Sequence, residues 1–130
     1  MWLMSTQLFR HGDRGYGSLT KRRIPDEVLD DWFGPATRSA AIRYDLRKFT
    51  AGTPSRKTLL DWASRLSSFS GPVLVIWGAD DAMMPVEHAH LLVEEFPDAR
   101  LVLVEDSRTL ISEDQPERFA AELSRFVTAR

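Results

Sequence analysis

Two adjacent carboxylates, Asp80 and Asp81, are the residues whose position most invites chemistry. They follow Val73–Trp77, a run apolar at every position and rich in β-branched residues, with Gly71-Pro72 before it and Gly78 after it. A strand apolar on every residue has both faces covered, which predicts a parallel sheet flanked by helices. Open α/β sheets carry their working groups just outside the carboxyl ends of their strands. Acid delivered at that point is therefore a candidate functional site. The competing reading is that the pair caps the next turn and stands in water. Gly78 is expected to let the chain turn sharply.

Several elements must position these carboxylates. Pro85 is expected to start a helix, VEHAHLLVEEF, which buries Val86, Ala89, Val93 and Phe96 and ends at Pro97. A second apolar strand follows at Leu101–Val104. The last helix has Asp114 and Glu117 at capping-box spacing, Pro116 in its first turn, and a core stripe of Phe119, Leu123, Phe126 and Val127. Strand, helix, strand, helix predicts a parallel pair joined by a right-handed crossover. The first half reads as helical. Residues 10–24 are a loop, and Pro25-Asp26 open a helix that Gly34-Pro35 stops. A second helix runs over 36–49 with Ile42, Leu46 and Phe49 on one stripe. Ser55 caps a third, in which Leu59, Trp62, Ala63, Leu66 and Phe69 recur at helical spacing. Core packing is the expected use of these aromatics.

Composition narrows the function classes. The chain has 130 residues, 43% hydrophobic and 28% charged, the profile of an ordinary globular domain with one core. It has no cysteine, which excludes disulfides, thiolate zinc sites and cysteine nucleophiles. The first 60 residues carry 11 Lys/Arg against 6 Asp/Glu, and the remaining 70 carry 6 against 13. Lys21-Arg22-Arg23 is the basic cluster, but three charges without interleaved aromatics read as a solvated loop, not a nucleic-acid contact. His11, beside Asp13, is expected in water. His88 and His90 are two apart and point to different sides of their helix, so no metal site is expected, and no cofactor either. Ser18 follows Gly17, yet no glycine stands two places to either side, so it is not a nucleophile elbow. The opening residues, MWLMSTQLF, lack a basic lead-in and are too short to span a bilayer, so the expected address is cytoplasmic, with no membrane partner.

Residues 69–130 resemble the carboxyl-terminal part of the α/β-hydrolase family. The resemblance is carried by Pro72-Val-Leu-Val-Ile-Trp-Gly78, Asp81, Pro85, the helix to Phe96-Pro97, Leu101–Val104 and Asp114-Gln-Pro-Glu117. Residues 1–68 look like the end of the helical cap that many such enzymes insert before this strand. The fold so implied is α/β: a helical cap remnant followed by a parallel β-α-β-α unit. In that family the acid of the catalytic set follows this strand at G-x-x-D spacing, so Gly78-Ala-Asp-Asp81 gives Asp81 the acid position. The family's histidine follows the next strand. Counting back from Pro116, its place falls at Arg108-Thr109, and Thr109 cannot act as a base near neutral pH. No histidine occurs after His90, and the nucleophile elbow and oxyanion loop of the family are not found in these residues.

The resemblance implies hydrolysis of an ester, amide or carbon–halogen bond in a small apolar molecule by the full-length family, with Met83, Met84, Trp32 and Trp62 as candidate pocket walls. This chain is expected not to catalyse by itself. The alternative is a truncated or non-catalytic module that self-associates, or that meets a partner completing its sheet, through open edges. A third reading has Ser107 and Thr109 holding the histidine's place with the base supplied elsewhere, which raises the weight of Asp106 and Asp114.

Overall fold

The computed structural model describes residues 6–129; the opening residues 1–5, part of the segment read above as neither leader nor anchor, lie outside the described residues. Among the described residues no helix is long and apolar enough to cross a membrane. The Thr6 hydroxyl accepts the Phe9 amide at 3.3 Å and caps α1 (Gln7–His11). A 3-10 turn at Tyr16–Ser18 follows, then α2 (Asp26–Arg38), α3 (Ala40–Ala51) and α4 (Arg56–Ala63). After a second 3-10 turn at Leu66–Ser68 come β1 (Val73–Gly78), α5 (Val86–Glu94), β2 (Ala99–Val104), α6 (Ile111–Asp114) and α7 (Pro116–Thr128).

β1 and β2 pair in parallel, from Val73 opposite Ala99 to Gly78 opposite Val104. Parallel neighbours need a crossover, and α5 supplies it, seating fully buried Ala89 against the strands. α7 leans on β2. The parallel β-α-β-α unit is thus as the sequence predicts. Only Val75 and Gly78 of β1 are fully buried, because two strands under two helices leave both edges of the sheet open.

The main apolar cluster lies in the helical half. Ile24, Leu29 and Phe33 are buried, with Phe9, Tyr16 and Val28 packed on them. The Tyr16 and Phe33 rings meet edge to face at 4.9 Å, the geometry favoured by aromatic quadrupoles. Leu110, from the turn after β2, packs on the same cluster, and its amide donates to the Leu19 carbonyl at 2.9 Å. The two halves therefore meet at the end of the sheet that carries the acid pair.

Several local expectations are overturned. Residues 10–24 are not all loop, since they contain the end of α1 and a 3-10 turn. Gly34-Pro35 does not stop α2. The helix continues to Arg38 because Phe33, Gly34 and Ala36 are buried on one side, which offsets the roughly 3 kcal/mol that an internal proline costs. α3 consequently starts at Ala40, where the Ser39 hydroxyl accepts the Ile42 amide. Ser55 caps α4 as expected, accepting the Thr58 amide at 3.2 Å.

The stripes of α3 and α4 are amphipathic but uncovered, with Phe49 82% and Trp62 52% exposed. Periodicity reports that a helix has an apolar side; it does not report what meets that side. On α7 the stripe is only partly used, with Phe119 and Phe126 half-buried and Leu123 and Val127 exposed. The buried side chain there is Glu122, ringed by Arg125 at 2.8 Å, Arg118 at 2.9 Å and Arg100 at 3.6 Å. The capping box is absent: Gln115 precedes α7 without a side-chain cap, and Asp114 turns elsewhere.

Candidate functional site

Gly78 ends β1 where the turn after β2 crosses it. A Cβ at this position would lie 2.3 Å from the Arg108 carbonyl oxygen and 2.7 Å from that of Ser107. Glycine is thus required by close approach of two backbones, and its φ is not positive. The left-handed residue is Asp106 (φ 54°), in the turn itself; aspartate tolerates that region better than most residues. Two backbone bonds seal the crossing: the Ala79 amide to the Val104 carbonyl at 2.9 Å, and the Asp80 amide to the Ser107 carbonyl at 3.0 Å.

The two carboxylates of the pair part company here. Asp81 is 8% exposed, and its Oδ1 accepts the Met83 and Met84 amides and the Thr109 hydroxyl, each at 2.9 Å. Aspartate bonding to amides two and three residues ahead is the usual way it shapes a turn. The turn-capping role is therefore real, but it is fulfilled out of water. Asp81 and Thr109 meet across the sheet end, while Asp80 faces outward and takes Lys21 Nζ at 2.6 Å. Ser107 is fully buried, with its hydroxyl donating to the Arg108 carbonyl at 3.3 Å.

Asp114 is the residue that sequence reasoning undervalued. It is fully buried, and its Oδ1 accepts the amides of Lys21 (2.8 Å) and Arg22 (3.1 Å). Its Oδ2 accepts Lys21 again (3.0 Å) and the Arg108 amide (2.9 Å), while its carbonyl accepts Arg22 Nη1 at 2.5 Å. One carboxylate thus pins the 20–22 loop of the helical half to the turn that carries Thr109. The spacing to Glu117 suggested a cap and hid this use.

Lys21-Arg22-Arg23 is not a free solvated loop either. Lys21 Nζ lies 2.6 Å from Asp80 and 3.0 Å from Asp106, Arg22 lies 3.7 Å from Asp106, and Arg23 pairs with Asp26 at 3.2 Å. The Asp80 bond first, then the Asp106 bond, hold the Lys21 ammonium above its ordinary pKa. A raised lysine pKa favours the folded state below the unfolded value, and that contribution is lost as pH climbs through the raised one. His11 also leaves the solvent, with its Nε2 2.7 Å from Asp26. That bond, ahead of the one from Arg23, draws the Asp26 carboxyl below the usual carboxylate range, so its contribution fades only in acid.

The proposed wall residues are dispersed. Trp32 lies beside Tyr16 at 6.3 Å, Trp62 lines a separate groove with Phe49, and Met84 gives its carbonyl to Trp77 Nε1 at 2.8 Å. Met83 alone reaches the cleft between the halves, about 530 Å³, lined by Asp13, Ser18, Ala82, Met83 and Arg108. His88 and His90 are both exposed. Among the described residues no cluster of three or more His, Asp or Glu is arranged to hold a metal ion.

No protein-family model matches the chain. It is 34% identical over 100 residues to an uncharacterized protein of Mycobacterium bovis and to uncharacterized proteins of two Mycobacterium tuberculosis strains. Each match covers 77% of this chain but 28% of the relative, so the chain spans under a third of the length of those curated relatives. Among solved structures, it resembles a serine hydrolase involved in carbazole degradation, the CarC enzyme. The TM-score is 0.68 at 21% identity, covering 88% of this chain and 45% of that one. The likeness is one of fold, and it supports the α/β-hydrolase resemblance stated from the sequence: the chain has a partial α/β-hydrolase fold.

Proposed function

We propose that this chain supplies the acid-bearing part of a hydrolase-type site for a small molecule, with Asp81 at the acid position and Thr109 where a hydrolase would carry its histidine. The observation behind this reading is the 2.9 Å bond from the Thr109 hydroxyl to buried Asp81 Oδ1. In an acid–histidine–nucleophile set, the carboxylate holds the imidazole tautomer and stabilises its cation. A threonine hydroxyl donates the same orienting bond to the carboxylate but takes no proton from a nucleophile near pH 7. The described residues thus orient a ligand without driving turnover of an ester, amide or carbon–halogen bond.

Thr109→His tests the reading by returning the imidazole. The new histidine is expected to titrate by NMR above about 6.5, the ordinary histidine value, because Asp81 faces it. Adding Asp81→Asn should remove that elevation. An unshifted histidine would sink the assignment of Thr109, and turnover of an activated short-chain ester by the unaltered chain, abolished by Asp81→Asn, would sink the claim of inactivity.

A second reading is favoured by the outward apolar faces of α3 and α4, with Phe49, Leu60 and Trp62 exposed. Here the chain is a module that associates with its own kind or with a partner, since such surface is scarce on monomers. Size-exclusion with light scattering is expected to give a mass above 14.8 kDa, and a monodisperse monomer at tens of micromolar would remove this reading.

A further inference from the structure

Arg108 carries a charge that no carboxylate answers. Arg22, Arg23 and Lys21 on the facing loop each meet an aspartate, whereas none of the ion pairs among the described residues involves Arg108. Its Nη1 donates to the Ser18 and Thr20 carbonyls at 3.5 and 3.4 Å, both at the long limit. Its remaining guanidinium N–H groups have no partner among the described residues. The residue is half-buried and lines the 530 Å³ cleft between the halves, together with Met83 and Ala82. A half-buried cation without a counter-ion is costly, and a guanidinium presents parallel donors that match an oxyanion. Met83, 58% exposed, offers an adaptable apolar wall in the same cleft.

We propose that this cleft binds a small molecule with a carboxylate head and an apolar body, the head on Arg108 and the body along Met83 and Ala82. This rests on the reading of the Asp81–Thr109 corner as part of a small-molecule site, and it names the ligand class. The cleft volume lies within the range of ordinary small-molecule pockets. Asp13 is the one carboxylate lining it; it is exposed, so water weakens its repulsion of the head without removing it.

Calorimetry with phenylacetate, phenylacetamide and inorganic phosphate tests the proposal on the full chain. Phenylacetate is expected to bind saturably, on the order of tenfold tighter than phenylacetamide, the usual scale for one charge-assisted pair. Arg108→Gln should abolish that preference, Arg108→Lys should retain part of it, and Arg47→Gln, on the exposed side of α3, should leave it intact. Asp13→Asn should tighten phenylacetate binding severalfold by removing a like charge. Equal binding of acid and amide by the unaltered chain, or weaker binding in Asp13→Asn, would overturn the proposal, and this holds even where Arg108→Gln does not fold. Phosphate binding tighter than phenylacetate would overturn the apolar half of it. The Thr109→His titration is read as the part of the shift that Asp81→Asn removes, which leaves out the effect of neighbouring Arg108: phenylacetate selectivity with no such part would sink the acid–base assignment alone, and the reverse pairing would sink the ligand class alone.

Discussion

Asp114→Ala is expected to cost about 3–5 kcal/mol of folding stability. Three backbone amides, those of Lys21, Arg22 and Arg108, converge on this fully buried carboxylate. Hydrogen bonds to a charged acceptor contribute more than neutral ones, and each buried donor left without a partner costs roughly 1–3 kcal/mol. Water reaches the exposed side of residues 21 and 22, so the three do not each incur the full cost. Against a typical total of about 5–15 kcal/mol, the loss is a large fraction of the whole. Urea unfolding measures it as a lower midpoint, and a change under about 1 kcal/mol would refute the assigned role.

Asp114→Asn separates the two functions of that carboxylate. Its amide can keep an oxygen toward Lys21 and Arg22, but its NH2 then faces the Arg108 N–H, donor against donor. The 20–22 loop is expected to stay protected from hydrogen exchange while the 107–109 turn loses protection and loosens the Thr109–Asp81 bond. The alanine variant should lose both. The pattern follows from which oxygen serves which loop.

What could be read from the sequence divides along physical lines. Val73–Trp77 announces a strand because β-branched residues in an unbroken run have few other uses. Its parallel pairing with Leu101–Val104 follows from the helix between them. Asp81 was legible because it stands at fixed distance from a glycine at a strand end. Thr109 was singled out by counting back from Pro116 within a resemblance, and no local pattern announced its bond to Asp81. Asp114 and Lys21 were not legible: their partners lie 93 and 59 residues away, and side-chain bonds over such separations leave no periodicity. The uneven charge, basic early and acidic late, was the available trace, since Lys21 and Arg22 meet Asp80 and Asp106 across the join of the halves. The apolar stripes of α3 and α4 were legible as stripes, but amphipathicity is a property of one helix and coverage is a property of two.

Gly78→Ala should be strongly disruptive for a change of a single methyl group. The added carbon meets the Arg108 and Ser107 carbonyl oxygens at 2.3 and 2.7 Å, and these are backbone atoms that cannot swing aside as a side chain tip can. The turn must therefore back away from the end of β1 as a unit. That stretches the Asp80–Ser107 backbone bond and draws Thr109 from Asp81. Overpacking costs about 1–3 kcal/mol in well-packed interiors, and a backbone obstacle places this case at the upper end. The decisive comparison is with Gly52→Ala, where the nearest contact is 2.9 Å, to a carbonyl at the exposed end of α3. Gly78→Ala is expected to lower the urea midpoint much further than Gly52→Ala. In the Thr109→His background it should also return the histidine toward its ordinary pKa, because the carboxylate no longer faces the ring. Equal destabilisation by the two alanines, with the histidine still elevated, would mean that the two backbones do not cross as closely as 2.3 Å implies.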